Sequence, residues 1–98
     1  MICTLGTWTA KEGREDEFTK RWEESSDSLA LDYPNLKFRL LRDPTNPRRF
    51  VSLAEGWRNV EQVEEVQSLP NYQDSMSALW RVLDSGEMST LELAIEIS

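Results

Sequence analysis

Two stretches of this chain, Ile2 to Trp8 and Phe50 to Trp57, are rich in β-forming residues and place large apolar groups on both sets of alternate positions. In the first, Ile2, Thr4 and Trp8 share one side while Cys3 and Leu5 share the other; in the second, Phe50 and Ala54 oppose Val51, Leu53 and Trp57. A strand with two apolar faces belongs in the middle of a sheet that is covered on both sides. Elsewhere Leu36, Phe38 and Leu40 alternate with Lys37 and Arg39. From about Met88 to Ile97, the residues Leu91, Leu93, Ile95 and Ile97 alternate with Glu92, Ala94 and Glu96. These runs have one wet face and suit the margins of a sheet.

Helical periodicity fills the gaps. Thr9 and Glu12 have the spacing of a capping box, and from Gly13 onward the apolar period lengthens to about 3.6. Phe18, Trp22, Ser25, Ser26, Leu29 and Tyr33 mark the inner face of this helix, which Pro34 stops. Asp-Pro and Asn-Pro pairs make Arg42 to Arg48 a hairpin loop. Asn59 and Gln62 form a second capping pair ahead of Val60, Val63 and Val66, in a short helix that ends at Leu69 and Pro70. Pro70 opens a third helix with a stripe of Tyr72, Met76, Leu79, Trp80 and Leu83, closed by Gly86.

The order strand, helix, strand, strand, helix, helix, strand is two strand-helix-strand units joined by a hairpin. It predicts an α+β, ferredoxin-like βαββααβ fold, a single domain over residues 1–98 with a four-stranded antiparallel sheet and helices on one face. In that arrangement the first and third strands are central, which matches their two-sided patterns. Helices on one face leave the other face of the central strands without cover, and this predicts a homodimer packed sheet on sheet. A chain of 98 residues buries only about two-thirds of its unfolded surface, so a second subunit would also enlarge its core.

Composition removes several function classes. Eighteen acidic against eleven basic residues give a net charge of −7, which repels a phosphate backbone and argues against a nucleic-acid partner. The absence of histidine excludes Ser-His-Asp and Cys-His catalysis, His-ligated metals and His-anchored haem. One cysteine, Cys3, allows neither an intramolecular disulfide nor a Cys cluster for metal, and it reads as an inert buried thiol in a reducing cytoplasm. No apolar run approaches the ~20 residues of a membrane span, and the N-terminus lacks the order of a secretory signal, so a soluble, unprocessed, cytoplasmic protein is expected. Against the acidic background, Lys37, Arg39, Arg42, Arg48 and Arg49 crowd the hairpin with only Asp43 among them. That cluster is a solvated loop, a set of charge pairs with the second subunit, or a docking site for an anionic ligand.

A two-sided first strand, Gly13 near the start of a long helix, Phe50-Val51 leading to Trp57, then Asn59-Val60-Glu61 and Pro70-Asn71-Tyr72 together resemble the antibiotic biosynthesis monooxygenase domain family. The resemblance implies a dimeric α+β barrel with a pocket between helices and sheet in each subunit. It also implies oxygenation of polycyclic aromatic substrates without metal, flavin or other cofactor, or haem degradation, or small-molecule binding. Haem-degrading relatives use an Asn, a Trp and a His at places that fall here near Gly6, Val66 and Met76, so that branch does not match.

Cofactor-independent oxygenation leaves the redox work to an electron-rich substrate, and the protein supplies a dry cavity and hydrogen-bond donors. The expected catalytic residues are Tyr72, to hydrogen bond a substrate oxygen, and Trp80 through its indole N–H. Trp22 and Met76 from the helices, with Arg39, Ser52 and Glu55 from the sheet, are the expected substrate contacts, and Glu55 is the one carboxylate placed to serve as a base. Each also has a plainer reading: the helical residues and Trp57 as core, Arg39 as solvated or paired across a dimer, and Glu55 as the partner of an arginine, so that no obvious general base stands among the candidates. The function expected is therefore a monooxygenase acting on an aromatic or polyketide-like molecule. The alternative is a non-catalytic dimer of the same fold that binds a small hydrophobic molecule or serves in assembly.

Overall fold

The computed structural model describes residues 1–98. Four strands, β1 (Ile2–Ala10), β2 (Lys37–Asp43), β3 (Asn46–Trp57) and β4 (Leu83–Glu92), form one antiparallel sheet in the order β2-β3-β1-β4. The two strands with apolar groups on both faces are the central pair. Three helices, α1 (Glu15–Asp32), α2 (Val60–Gln67) and α3 (Pro70–Trp80), lie on one face, giving the ferredoxin-like topology.

Local chemistry sets the boundaries, and several differ from the sequence expectation. Thr9 stays in β1 and makes no cap; Gly13, at φ +82°, turns the chain, and α1 begins at Glu15 without a side-chain cap. Its first turn carries Glu15, Asp16 and Glu17, where negative charge is favoured by the exposed N–H groups. The backbone N–H groups of Glu15 and Gly13 hold the Glu15 carboxyl below the usual carboxylate range. The second capping pair does form: Asn59 Oδ1 accepts from the Gln62 N–H at 2.8 Å, and Gln62 Oε1 accepts from the Arg58 N–H at 2.7 Å.

The hairpin is tighter than a loop over residues 42–48, because Asp43 Oδ1 accepts from the Thr45 N–H, the Thr45 hydroxyl and the Asn46 N–H at 2.9, 2.8 and 3.2 Å. Pro47 lies in β3 where the register jumps from Asn46 to Phe50, so it removes no bond to β2. The hairpin cations are engaged within the chain. Arg42 donates to the Pro47 carbonyl at 2.8 Å and stacks over Phe50, Arg48 donates to the Ala10 carbonyl at 2.9 Å and pairs with Asp84, and Arg49 lies 3.7 Å from Asp43. Arg42, Arg48 and Arg49 thus each have a partner within the chain.

The last strand also begins earlier than its hydropathy suggests, at Leu83 rather than Met88, and Gly86 lies inside it opposite Trp8 instead of closing α3. Pairing along nearly the whole of β1 outweighs the weak apolar pattern of residues 83–88. Residues 93–98 lie beyond β4, held at their start by the Leu93 N–H, which donates to the Met1 carbonyl at 2.8 Å.

Alternation sends Thr4, Gly6, Trp8 and Ala10 of β1 and Phe50, Ser52 and Ala54 of β3 toward the helices. Trp57 joins them against expectation. Ile2 pairs with Trp57 and Cys3 with Glu55, which leaves Gly56 unpaired as a bulge, and the extra residue turns the Trp57 indole to the helix side. Gly56 has φ +96°, and a Cβ there would lie 2.0 Å from the Asn35 carbonyl oxygen, so no other residue fits.

The core between sheet and helices is in two parts. One end packs Trp8, Phe18, Phe50, Leu79, Val82 and Leu83; the other packs Leu36, Ala54, Trp57, Val63 and Val66. The opposite sheet face presents Cys3, Leu5, Val51 and Leu53, flanked by Leu41 and Leu91, which are 58% and 44% exposed. No element of the chain covers that face.

Candidate functional site

Where the two parts of the core fail to meet, a cavity of about 60 Å³ lies over Gly6. The gap has a sequence cause. Gly6 has no side chain, and the Trp8 indole lies down over it: a Cβ at Gly6 would come within 2.5 Å of the indole ring, and a Cβ at Gly86 within 2.5 Å of its other edge. Two glycines, Gly6 on β1 and Gly86 opposite Trp8 on β4, thus form the trough that holds Trp8 flat. The indole N–H reaches Ser52 Oγ on β3 at 2.9 Å, and the Trp57 indole N–H reaches Thr4 Oγ1 at 3.3 Å.

These two bonds orient the floor. A hydroxyl has one donor and two acceptor sites, and the indoles occupy an acceptor site on each of Ser52 and Thr4. The donor site of each hydroxyl is thereby left available to an occupant of the cavity. The walls are aromatic and aliphatic: Trp22 and Leu29 from α1, Phe38 from β2, Tyr72, Met76 and Leu79 from α3. Trp22 and Phe38 meet edge to face with ring centroids 6.4 Å apart. Ser25, Ser26 and Gln67 supply the remaining polar groups, and no charged side chain lines the cavity.

Beyond the cavity a groove of about 420 Å³ runs between α3 and β4, bordered by Trp80 and Glu87. Gln67, Tyr72, Met76 and Met88 line both spaces. At this neck the Tyr72 hydroxyl donates to Met88 Sδ at 3.3 Å. Burial pushes the Tyr72 phenol above its ordinary value near 10, so it is a proton donor throughout the neutral range.

Of the residues singled out in the sequence, Trp22, Ser52, Tyr72 and Met76 meet at the cavity. Trp80 does not. It stands in the outer groove, 45% exposed, with its ring edge-on to Trp8 at 6.2 Å. Arg39 and Glu55 lie on the opposite face of the sheet, because Phe38, Leu40 and Ala54, their neighbours in sequence, pack toward the helices. Neither can touch a ligand in this cavity, and Glu55 is no base for it. Trp8, Thr4, Gly6, Trp57 and Met88 also line the cavity, beyond the site residues that the sequence suggests. Gly56 before Trp57, and a threonine on the apolar side of β1, were the available signals for two of them.

The surrounding fold is shared with known structures. The chain superposes on a variant of SnoaB, a cofactor-independent oxygenase from Streptomyces nogalater, with a TM-score of 0.85 at 15% identity, over 98% of this chain and 95% of that one. A second structure, of an antibiotic biosynthesis monooxygenase, gives 0.81 at 13% identity over 97% and 100%. A conserved protein from Methanosarcina mazei Go1 gives 0.79 at 15% over 92% and 89%. No curated protein matches the chain in sequence. At such identities the superpositions speak for the fold, whereas the sequence pattern of one family runs through residues 1–78, from β1 into α3. By that pattern the chain belongs to the antibiotic biosynthesis monooxygenase family.

Proposed function

We propose that this protein is a homodimeric monooxygenase that acts on an aromatic or polyketide-like molecule without a bound cofactor. The observation that carries this reading is the cavity: free of charged side chains, aromatic-walled, and floored by the Ser52 and Thr4 hydroxyls, which accept from the Trp8 and Trp57 indoles. A site with no internal base suits a substrate acidic enough to bind as its own anion. Tyr72, Ser52 and Thr4 then donate to the phenolate or enolate oxygen. The anion's electron-rich carbon passes two electrons to dioxygen as the C–O bond forms. For an anthrone-type methylene, loss of water from the resulting hydroperoxide leaves a carbonyl, with the balance R2CH2 + O2 → R2CO + H2O. Trp22 and Met76 hold the rings, and Trp80 meets the part of the substrate that extends into the groove. The unpaired Cys3 accords with a cytoplasmic setting.

Dioxygen uptake with a panel of anthrones and quinols tests the reading. Uptake in the native protein should fall about 10²-fold in Tyr72→Phe, the loss expected for one oxyanion donor. The absence of any charged side chain in the cavity also suits a second reading, a dimeric binding module. Tight binding of an anthrone with no uptake would establish that one instead.

The uncovered sheet face supplies the dimer. Leu5, Leu41, Val51, Leu53 and Leu91 form its apolar surface, and burial of such a patch drives association. Sedimentation equilibrium should give a dimer at micromolar concentration and a monomer for Leu53→Asp. A native monomer at that concentration would refute the assembly.

A further inference from the structure

Access to the cavity is narrow and specific. The inner space of about 60 Å³ has room for only a few waters or one small ring, while the groove beside it is several times larger at about 420 Å³. Where they adjoin, the Tyr72 hydroxyl on α3 donates to the Met88 thioether on β4, and both residues line both spaces. A thioether is a weak acceptor on a chain of three rotatable bonds, and Met88 is 37% exposed. The neck is therefore narrowed by a group that moves easily. β4 is an edge strand, bonded only to β1, so its outward N–H and C=O groups along the groove have no strand partner.

We infer that Tyr72 and Met88 form a clasp between the two spaces, and that its opening merges them into one site for an elongated, flat multi-ring ligand. One end of that ligand lies over Gly6 and Ser52, and the other runs along α3 past Met76 to Trp80. A polar substituent at the outer end meets the free edge of β4. Met88 is thus a specificity-determining residue: it sets the length of molecule that enters, and a small phenol passes without disturbing it. This rests on the reading of the cavity as the ligand site, and it adds the route and the shape of the occupant.

Stopped-flow tryptophan fluorescence under argon, with phenol and anthrone as the short and long probes, tests the clasp. Met88→Ala should raise the association rate of anthrone at least about tenfold and change that of phenol less than about twofold. Tyr72→Phe and Met88→Leu each remove one side of the hydrogen bond, so each should accelerate anthrone, and the double variant should go no faster than the quicker single one. Thermal unfolding of each variant, expected near the native midpoint because Met88 is half exposed, shows that the fold is retained. If anthrone binds the native protein but Met88→Ala and Tyr72→Phe leave its rate unchanged, the clasp is wrong and the cavity assignment stands. If neither probe binds the native protein, both fall together.

Discussion

Gly56→Ala should cost about 4 kcal/mol of stability, in a range of about 2–6 kcal/mol. Holding an alanine at φ +96° accounts for about 1–3 kcal/mol. The added Cβ, 2.0 Å from the Asn35 carbonyl oxygen, forces the segment leading into β2 to move, for about 1–3 kcal/mol more. In a domain of this size each kcal/mol lowers the melting midpoint by about 4–8 °C, so a fall of roughly 15–30 °C is expected by circular dichroism. The local consequence is separable from the global one. Without the bulge, Trp57 returns to the opposite face of the sheet, its bond to Thr4 is lost, and its emission shifts to the red. A midpoint within about 3 °C of the native value would mean that the bulge is not what places Trp57.

Gly6→Ala acts at the other side of the cavity. Its Cβ would sit 2.5 Å from both the Trp8 ring and Ser52 Oγ, and Trp8 is buried to 3% exposure with no room to retreat except into the cavity. Lifting the indole leaves its N–H without an acceptor, at about 1–3 kcal/mol, and the crowding adds about 1–3 kcal/mol. The larger effect falls on binding, because the displaced ring fills the space over Gly6 and aromatic ligands should be lost altogether. Ser52→Ala separates the two effects: it breaks the same hydrogen bond and removes one donor to the ligand without crowding the ring, so it should weaken binding rather than abolish it. Fluorescence titration well below the melting midpoint compares the two. Native affinity in Gly6→Ala would show that the indole does not rest where the trough places it.

Much of this architecture was legible in the sequence, for identifiable reasons. The two-sided strands announced the centre of the sheet, and the helical stripes announced the covering layer. Asn59 and Gln62 marked the start of α2 because a capping pair is read from spacing alone. The errors came where a long-range contact overrode a local signal. Thr9 has capping spacing to Glu12, yet β1 needs it for pairing; Gly86 looks like a helix stop, yet the Trp8 ring needs a residue without a side chain there. Trp57 fell on the wrong face because strict alternation has no symbol for a bulge.

The site was legible in part for the same reasons. Trp22, Tyr72 and Met76 follow from helical periodicity, and Ser52 from a polar residue on a central strand. Arg39 and Glu55 were drawn in by their chemistry, although the period of their strands puts them on the far face. The pairing of Tyr72 with Met88 joins residues on two elements whose register no local pattern discloses.

The division of the core bears on how such a scaffold can change its occupant. Packing that secures the fold is concentrated at the two ends, around Phe18 and Phe50 and around Val63 and Val66, whereas Ser25, Gln67 and Met88 in between mostly shape empty space. Substitutions at those three places alter what the hollow accepts at little expense to folding. Selection can therefore retune chemical preference and structural integrity almost independently, and a single small frame can serve many metabolites.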